Sequence, residues 1–304
     1  MQTISEMAGR YCVWLRERNY SVHTVVLMKR HLRTFSNWCE ERDIKTITSV
    51  TKDSIRRYEA FTHNLRKESG EAYSVYAKSQ RLSAVKTFFT WLTKQGVLVY
   101  NAASDVVLPK IPKRLPRNFF SIEEAEVVLN APDITTPLGQ RDRAIMEVFY
   151  STGMRKMELT NLALPDIDFA GGLIMIRSGK GNKDRVVPVG QRALGWVTKY
   201  LIDVRPKLVR DQDDGTVFLS NRGCNMYDGG LSVLVRKYIV KAGIEKKGAC
   251  HLFRHSCATL MLEGGADIRY IQELLGHEHL STTQIYASVT LTKLKEVHEK
   301  CHPG

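Results

Sequence analysis

Apolar residues in the first hundred positions recur at mixed three- and four-residue steps, the spacing of a helix that buries one face. The stretch from Thr24 through Val25, Val26 and Leu27 to Phe35 and Trp38 follows it. Leu82, Val85, Phe88, Phe89 and Leu92 follow it again, and Gly96 stops the run. Thr51-Lys52-Asp53-Ser54 offers caps before Ile55-Arg56-Arg57-Tyr58. Four helices in a small bundle are predicted. Trp14, Trp38 and Trp91 each lie within an apolar pattern, which assigns them to the core rather than to base stacking.

The pattern changes in the second part. Ser121-Ile122-Glu123-Glu124 is a cap with acids in the first turn, followed by an apolar run to Leu129. A further helix is expected from Arg141 to Tyr150, ending at Ser151-Thr152-Gly153. Leu173–Ile176 and Arg185–Val189 are β-rich runs joined by the polar hairpin Ser178-Gly179-Lys180-Gly181-Asn182-Lys183-Asp184. Helical patterns then return over 192–204, 229–241, 251–263, 267–275 and 281–299. The expected fold class is mainly α with one small antiparallel β-sheet.

Between the two parts runs Leu108-Pro109-Lys110-Ile111-Pro112-Lys113-Arg114-Leu115-Pro116-Arg117. Three prolines at this spacing prevent a helix and favour an extended connection. The expected organisation is therefore a helical domain over 1–107, a basic Pro-rich linker over 108–118 and a second domain over 119–304.

Charge adds a partner to this picture. The 304 residues carry 45 Lys and Arg against 32 Asp and Glu, a net +13. Residues 1–110 hold 18 bases and 10 acids, and the remainder 27 and 22, so both parts are basic. A cationic surface on both sides of a basic strap suits a polyanion, and Lys110, Lys113, Arg114 and Arg117 are the strap's candidate DNA contacts. A merely solvated linker is the plainer reading of the same charges.

Membrane readings fare poorly. No uncharged apolar run approaches the roughly 20 residues that span a bilayer. The opening residues have no basic region followed by an apolar stretch, so no signal peptide is expected. Six cysteines at irregular intervals suit free thiols in a reducing cytoplasm. A cytoplasmic, nucleoid-associated protein is expected.

Candidate chemistry is scattered. His251 and Arg254 are three apart on one helix, so imidazole and guanidinium share a face. Cys250, His251, His255 and Cys257 crowd together, but adjacent residues point different ways and no paired Cys-x-x-Cys supports a zinc site. His277 follows the Gly276 that ends a capped amphipathic helix, and Tyr286 lies nine residues on. Arg155 follows a glycine turn, with Glu158 placed to orient it, and Lys180 is at a hairpin tip. Singly, each has an ordinary structural explanation.

Together they resemble one family. Thr-Gly-Met-Arg155-x-x-Glu-Leu, Gly-Lys180-Gly-Asn-Lys-Asp-Arg, His251-x-x-Arg254-His, Leu-Leu-Gly-His277 and Thr-Thr-Gln-Ile-Tyr286 stand in the order found in tyrosine recombinases of the phage-integrase family. The resemblance spans nearly the whole chain, and the length, the Leu-Pro-Lys-x-Pro linker and the His-Pro-Gly end are most similar to the Xer group. Met154, Leu260 and Cys257 depart from the usual residues, all as packing changes.

The resemblance implies a four-helix, SAM-like core-binding domain followed by a catalytic domain. It implies Tyr286 as nucleophile on a DNA phosphodiester, Arg155 and Arg254 on the non-bridging oxygens, Lys180 as the acid for the leaving 5′-oxygen and His277 as a phosphate donor. His251 and the arginines would supply the base or cationic setting that a phenol of pKa about 10 needs. No metal and no cofactor are implied. The implied partners are double-stranded DNA recombination sites and further copies of the chain, as a tetramer on two sites exchanging C-terminal helices, or a paired recombinase. A type IB topoisomerase-like DNA relaxase and a non-catalytic DNA-binding protein on the same fold are the rival readings.

Overall fold

The computed structural model describes residues 2–111, 118–177, 184–210 and 213–276. The chain divides into two compact units, the first ending at Lys113 and the second starting at Arg114.

The first unit is four helices: α1 (Ile4–Glu17), α2 (Val22–Glu40), α3 (Lys52–Asn64) and α4 (Val75–Lys94). Each starts where a hydroxyl can accept from a backbone N–H of the first turn: Thr3, Ser21, Thr51 and Ser74. Aromatic rings fill the interior. Tyr58 meets Phe35 edge-on with centroids 4.9 Å apart, and Phe88 meets Phe89 in the same way at 5.7 Å. Trp38 and Trp91 are buried as expected, while Trp14 is half-buried at the margin, stacked on Tyr11.

The second unit contains α5 (Ile122–Leu129), α6 (Pro137–Thr152), α7 (Lys156–Thr160), β1 (Ile167–Asp168), β2 (Leu173–Ile176), β3 (Arg185–Pro188), α8 (Gln191–Asp203), α9 (Arg205–Leu208), α10 (Asp228–Lys241), α11 (Cys250–Glu263) and α12 (Ile268–Leu275). The strands form one antiparallel sheet in the order β1-β2-β3. Ile174 pairs with Val187 and Ile176 with Arg185, so the inward face carries Ile174, Ile176 and Val187. Leu173, Met175 and Val186 face outward.

Helix α6 is the centre of this unit. Ala144, Ile145, Met146, Val148 and Phe149 are fully buried, and Arg141, Asp142, Arg143 and Glu147 are largely buried with them. Those charges are paired: Arg143 donates from Nε and Nη2 to Glu147 Oε1 at 2.9 and 2.7 Å, and Arg141 grips Asp142 likewise. Helix α11 packs against α6, and its Ser256 Oγ accepts from the backbone N–H of Phe120 at 2.7 Å.

One boundary and two short elements differ from expectation. Helix α6 begins at Pro137 rather than Arg141, because Thr136 caps it and proline suits the first helical position. The segment expected as one helix over 192–204 is α8, followed after Val204 by the short α9. The third strand, β1, is too short for alternation to reveal. The helix expected over 281–299 lies outside the described residues.

Candidate active site

The site is built on a turn. Gly153 ends α6 in the left-handed conformation, at φ 60°, which favours a residue without a side chain. A Cβ there would come within 2.8 Å of Leu275 Cδ2 and 3.2 Å of Cys257 Sγ. The turn leads through buried Met154 to Arg155, which precedes α7. Glu158, three residues on, accepts from the Arg155 backbone N–H at 2.7 Å and from Arg155 Nη1 at 2.8 Å. The orienting role expected of Glu158 is realised.

A second guanidinium shares that carboxylate. Arg185 donates from Nη1 to Oε1 and from Nη2 to Oε2 of Glu158, both at 2.7 Å. Burial would push the Glu158 carboxyl up, but the Arg185 fork and the Arg155 N–H outweigh it and hold the pKa at about 2. Glu158 is therefore ionised at neutral pH between two permanently charged groups.

Arginines also close the end of α12. Gly276, at φ 61°, terminates the helix and leaves its last carbonyls without helical partners. Arg185 Nε donates to Leu274 O at 3.1 Å, Arg254 Nη2 to Leu275 O at 2.7 Å and Arg155 Nη2 to Gly276 O at 2.8 Å. Three consecutive carbonyls thus accept from three arginines of separate elements. Their partial negative charge favours cations at this end. Arg254, only 6% exposed, also donates from Nη1 to Gly153 O at 2.8 Å. The two arginines expected in the site are brought together across one helix end.

His251 lies in the first turn of α11, one turn before Arg254. Its surface is exposed, yet desolvation and the charges of Arg254, Lys156 and Arg155 push its pKa below the usual imidazole value, which favours the neutral form. His255 is pushed down to about 4 by burial, with His251 and Arg254 adding to it. Its neighbour Cys257 is buried, with its pKa raised to about 11 by burial. Among the described residues, no group of three His, Cys, Asp or Glu side chains is placed to hold a metal ion.

Of the expected site residues, Arg155 and Arg254 meet at one helix end, and His251, one turn before Arg254, lies within reach of their charges. Lys180, His277 and Tyr286 lie outside the described residues, as do Lys113, Arg114 and Arg117 of the strap. Lys110 is exposed in an irregular segment of the first unit. Arg185 was given no role from the sequence, where it is the last residue of the Gly-Lys180-Gly-Asn-Lys-Asp-Arg motif and the start of a strand. A signal was present: Arg185 has the same strand parity as buried Val187, and a cation on an inward face requires an acid partner.

Comparison with known proteins then decides the family. Residues 118–292 match the phage integrase family, and residues 10–96 match its N-terminal SAM-like domain. The chain belongs to the phage integrase family. Tyrosine recombinase XerC 2 of Ralstonia nicotianae is 43% identical over 285 residues, covering 94% of this chain and 82% of that protein. Tyrosine recombinase XerD of Proteus mirabilis is 36% identical over 292 residues, covering 96% and 90%. The crystal structure of the XerH site-specific recombinase bound to difH substrate aligns with a TM-score of 0.73 at 21% identity, over 96% of this chain and 84% of that one. That last likeness shows the shared fold, and the two relatives place this family member among the tyrosine recombinases. Among the described residues, no helix is long and apolar enough to cross a membrane.

Proposed function

We propose that this chain is a site-specific DNA recombinase that cuts and rejoins DNA through a 3′-phosphotyrosyl intermediate. The observation that carries the reading is the meeting of Arg155 and Arg254 at the end of α12, with His251 one turn before Arg254 on α11. Two guanidiniums fixed by carbonyls and a carboxylate are preorganised for the charge of a phosphoryl transition state.

In the proposed step the Tyr286 oxygen attacks phosphorus, and the phenol proton passes to the His251 imidazole, whose neutral form its surroundings favour. Arg155 and Arg254 hold the non-bridging oxygens. The bond from phosphorus to the 5′-oxygen breaks, and Lys180 gives that oxygen its proton. His277 donates to the phosphate. A 5′-hydroxyl from another strand then reverses the sequence, so rejoining uses the energy kept in the phosphotyrosine bond. The positive charge that the reaction needs comes from side chains of the protein.

The proposal extends to organisation. Residues 1–107 form the core-binding domain, 108–118 a basic linker carrying Lys110, Lys113, Arg114 and Arg117 along the DNA backbone, and 119–304 the catalytic domain. Four copies act on two DNA sites, with Leu294 and Val297 anchoring exchanged C-terminal helices. The nucleoid of the cytoplasm is the proposed location. Support comes from the basic charge of both parts and from the recombinase relatives.

The test mixes the protein with a nicked DNA substrate that traps the covalent intermediate. Wild type is expected to give a protein–DNA adduct resistant to denaturant, and Tyr286→Phe to give none while still retarding the DNA. An adduct that survives Tyr286→Phe overturns the mechanism.

A further inference from the structure

Arg185 joins three parts of the second unit that are far apart in sequence. Its backbone pairs with Ile176, the last rung of the ladder before the stretch of sequence that carries Lys180. Its guanidinium holds both oxygens of Glu158, whose remaining partners are the side chain and backbone N–H of Arg155. Its Nε reaches the carbonyl of Leu274, three residues before His277.

The site is tight around it. A Cβ on Gly276 would lie 3.1 Å from Arg185 Cδ, Nε and Cζ, so glycine is what lets the guanidinium lie against the helix end. The Arg185 side chain is 13% exposed, and that of Arg155 is 23% exposed. Arg185 is thus the inner member of the pair, and Arg155 the one open to a substrate.

Charge balance gives Arg185 a second effect. With Glu158 bound to Arg155 alone, the pair would be neutral and the pull on a phosphate weakened. Two guanidiniums on one carboxylate leave a net +1, and the fork geometry fixes where that carboxylate holds Arg155.

We infer that Arg185 is a positioning residue for DNA strand cleavage, setting Arg155 through Glu158 and the end of α12 through Leu274, while itself touching no substrate atom. The inference rests on the recombinase reading of the same site. Lysine cannot replace it, because a single ammonium cannot span both carboxylate oxygens and a carbonyl in one plane.

The experiment measures adduct formation on the nicked substrate under single-turnover conditions, alongside noncovalent DNA affinity and thermal unfolding. Arg185→Gln is expected to slow adduct formation on the order of 100-fold, the scale of a misplaced catalytic group. Noncovalent affinity is expected to change little. Arg185→Lys, which keeps the charge, tests the fork if the glutamine variant does not fold. It is expected to remain slow despite near-native unfolding. Glu158→Gln combined with Arg185→Gln is expected to lose less than the product of the two single losses, since the Arg185–Glu158 contact is common to both. A folded Arg185→Lys at the wild-type rate overturns the inference, as does a double variant whose losses multiply. No adduct with wild-type protein would instead refute the recombinase reading.

Discussion

Arg254 donates from Nη1 to the carbonyl oxygen of Gly153 at 2.8 Å, joining residues 101 positions apart. The bond ties the first turns of α11 to the turn that presents Arg155. Arg254 is buried and needs acceptors on several sides, and it finds them in backbone carbonyls of that turn and of α12. The two arginines are therefore held in place by the fold itself.

Gly153→Ala tests how far the site depends on this turn. The left-handed conformation and the approach of Leu275 and Cys257 leave no room for a methyl group. A loss of about 1–3 kcal/mol is expected from overpacking and backbone strain, read by urea unfolding. Adduct formation is expected to slow as well, because the turn leads directly into Arg155. An unchanged unfolding midpoint would show that the turn relaxes.

Glu158 predicts an acid-sensitive component of stability. Its pKa is lowered from an ordinary 4.5 to about 2. The unfolded chain therefore holds more protons on this group between those values. The stabilisation is fully present above pH 4.5 and is lost as pH falls toward about 2. Urea unfolding at stepped pH should show a flatter decline for Glu158→Gln than for wild type across that window.

Ser256→Ala removes a buried link between the start of the second unit and α11. Ser256 Oγ accepts from Phe120 N and donates to Leu252 O at 2.8 Å, with Ser256 fully buried. An unpaired Phe120 N–H is expected to cost about 1–3 kcal/mol. Hydrogen exchange at the Phe120 amide should accelerate in the variant.

Thiol labelling should separate Cys224 from the interior cysteines. Burial raises Cys39 to about 12 and Cys250 and Cys257 to about 11, and Cys12 is also pushed up. Cys224 is exposed. In the native protein at pH 8, peptide mapping should find Cys224 modified before those four, since the thiolate is the reactive form. Early modification of Cys257 would show that the packing behind Arg254 opens readily.

Much of this was legible beforehand, for local reasons. Thr51 and Ser121 cap the helices they were expected to cap, because a short hydroxyl before an apolar run satisfies first-turn N–H groups whatever surrounds it. Gly96 and Gly153 stop helices for an equally local reason, being able to adopt positive φ. Thr136 and Pro137 carried the same kind of signal for α6 but precede its apolar pattern, so the start was set too late.

By itself, the order of residues determined the helices of the first unit, the β2–β3 ladder and the motifs that mark a tyrosine recombinase, since periodicity and spacing are properties of neighbours along the chain. Only the tertiary structure decided that Arg185, read as the first residue of a strand, shares Glu158 with Arg155, and that three arginines meet the carbonyls of 274, 275 and 276. The physical reason is that a guanidinium satisfies its donors with whatever acceptors folding brings within reach. Here those acceptors are the carbonyls at a helix end, groups that every residue carries and that no sequence pattern distinguishes.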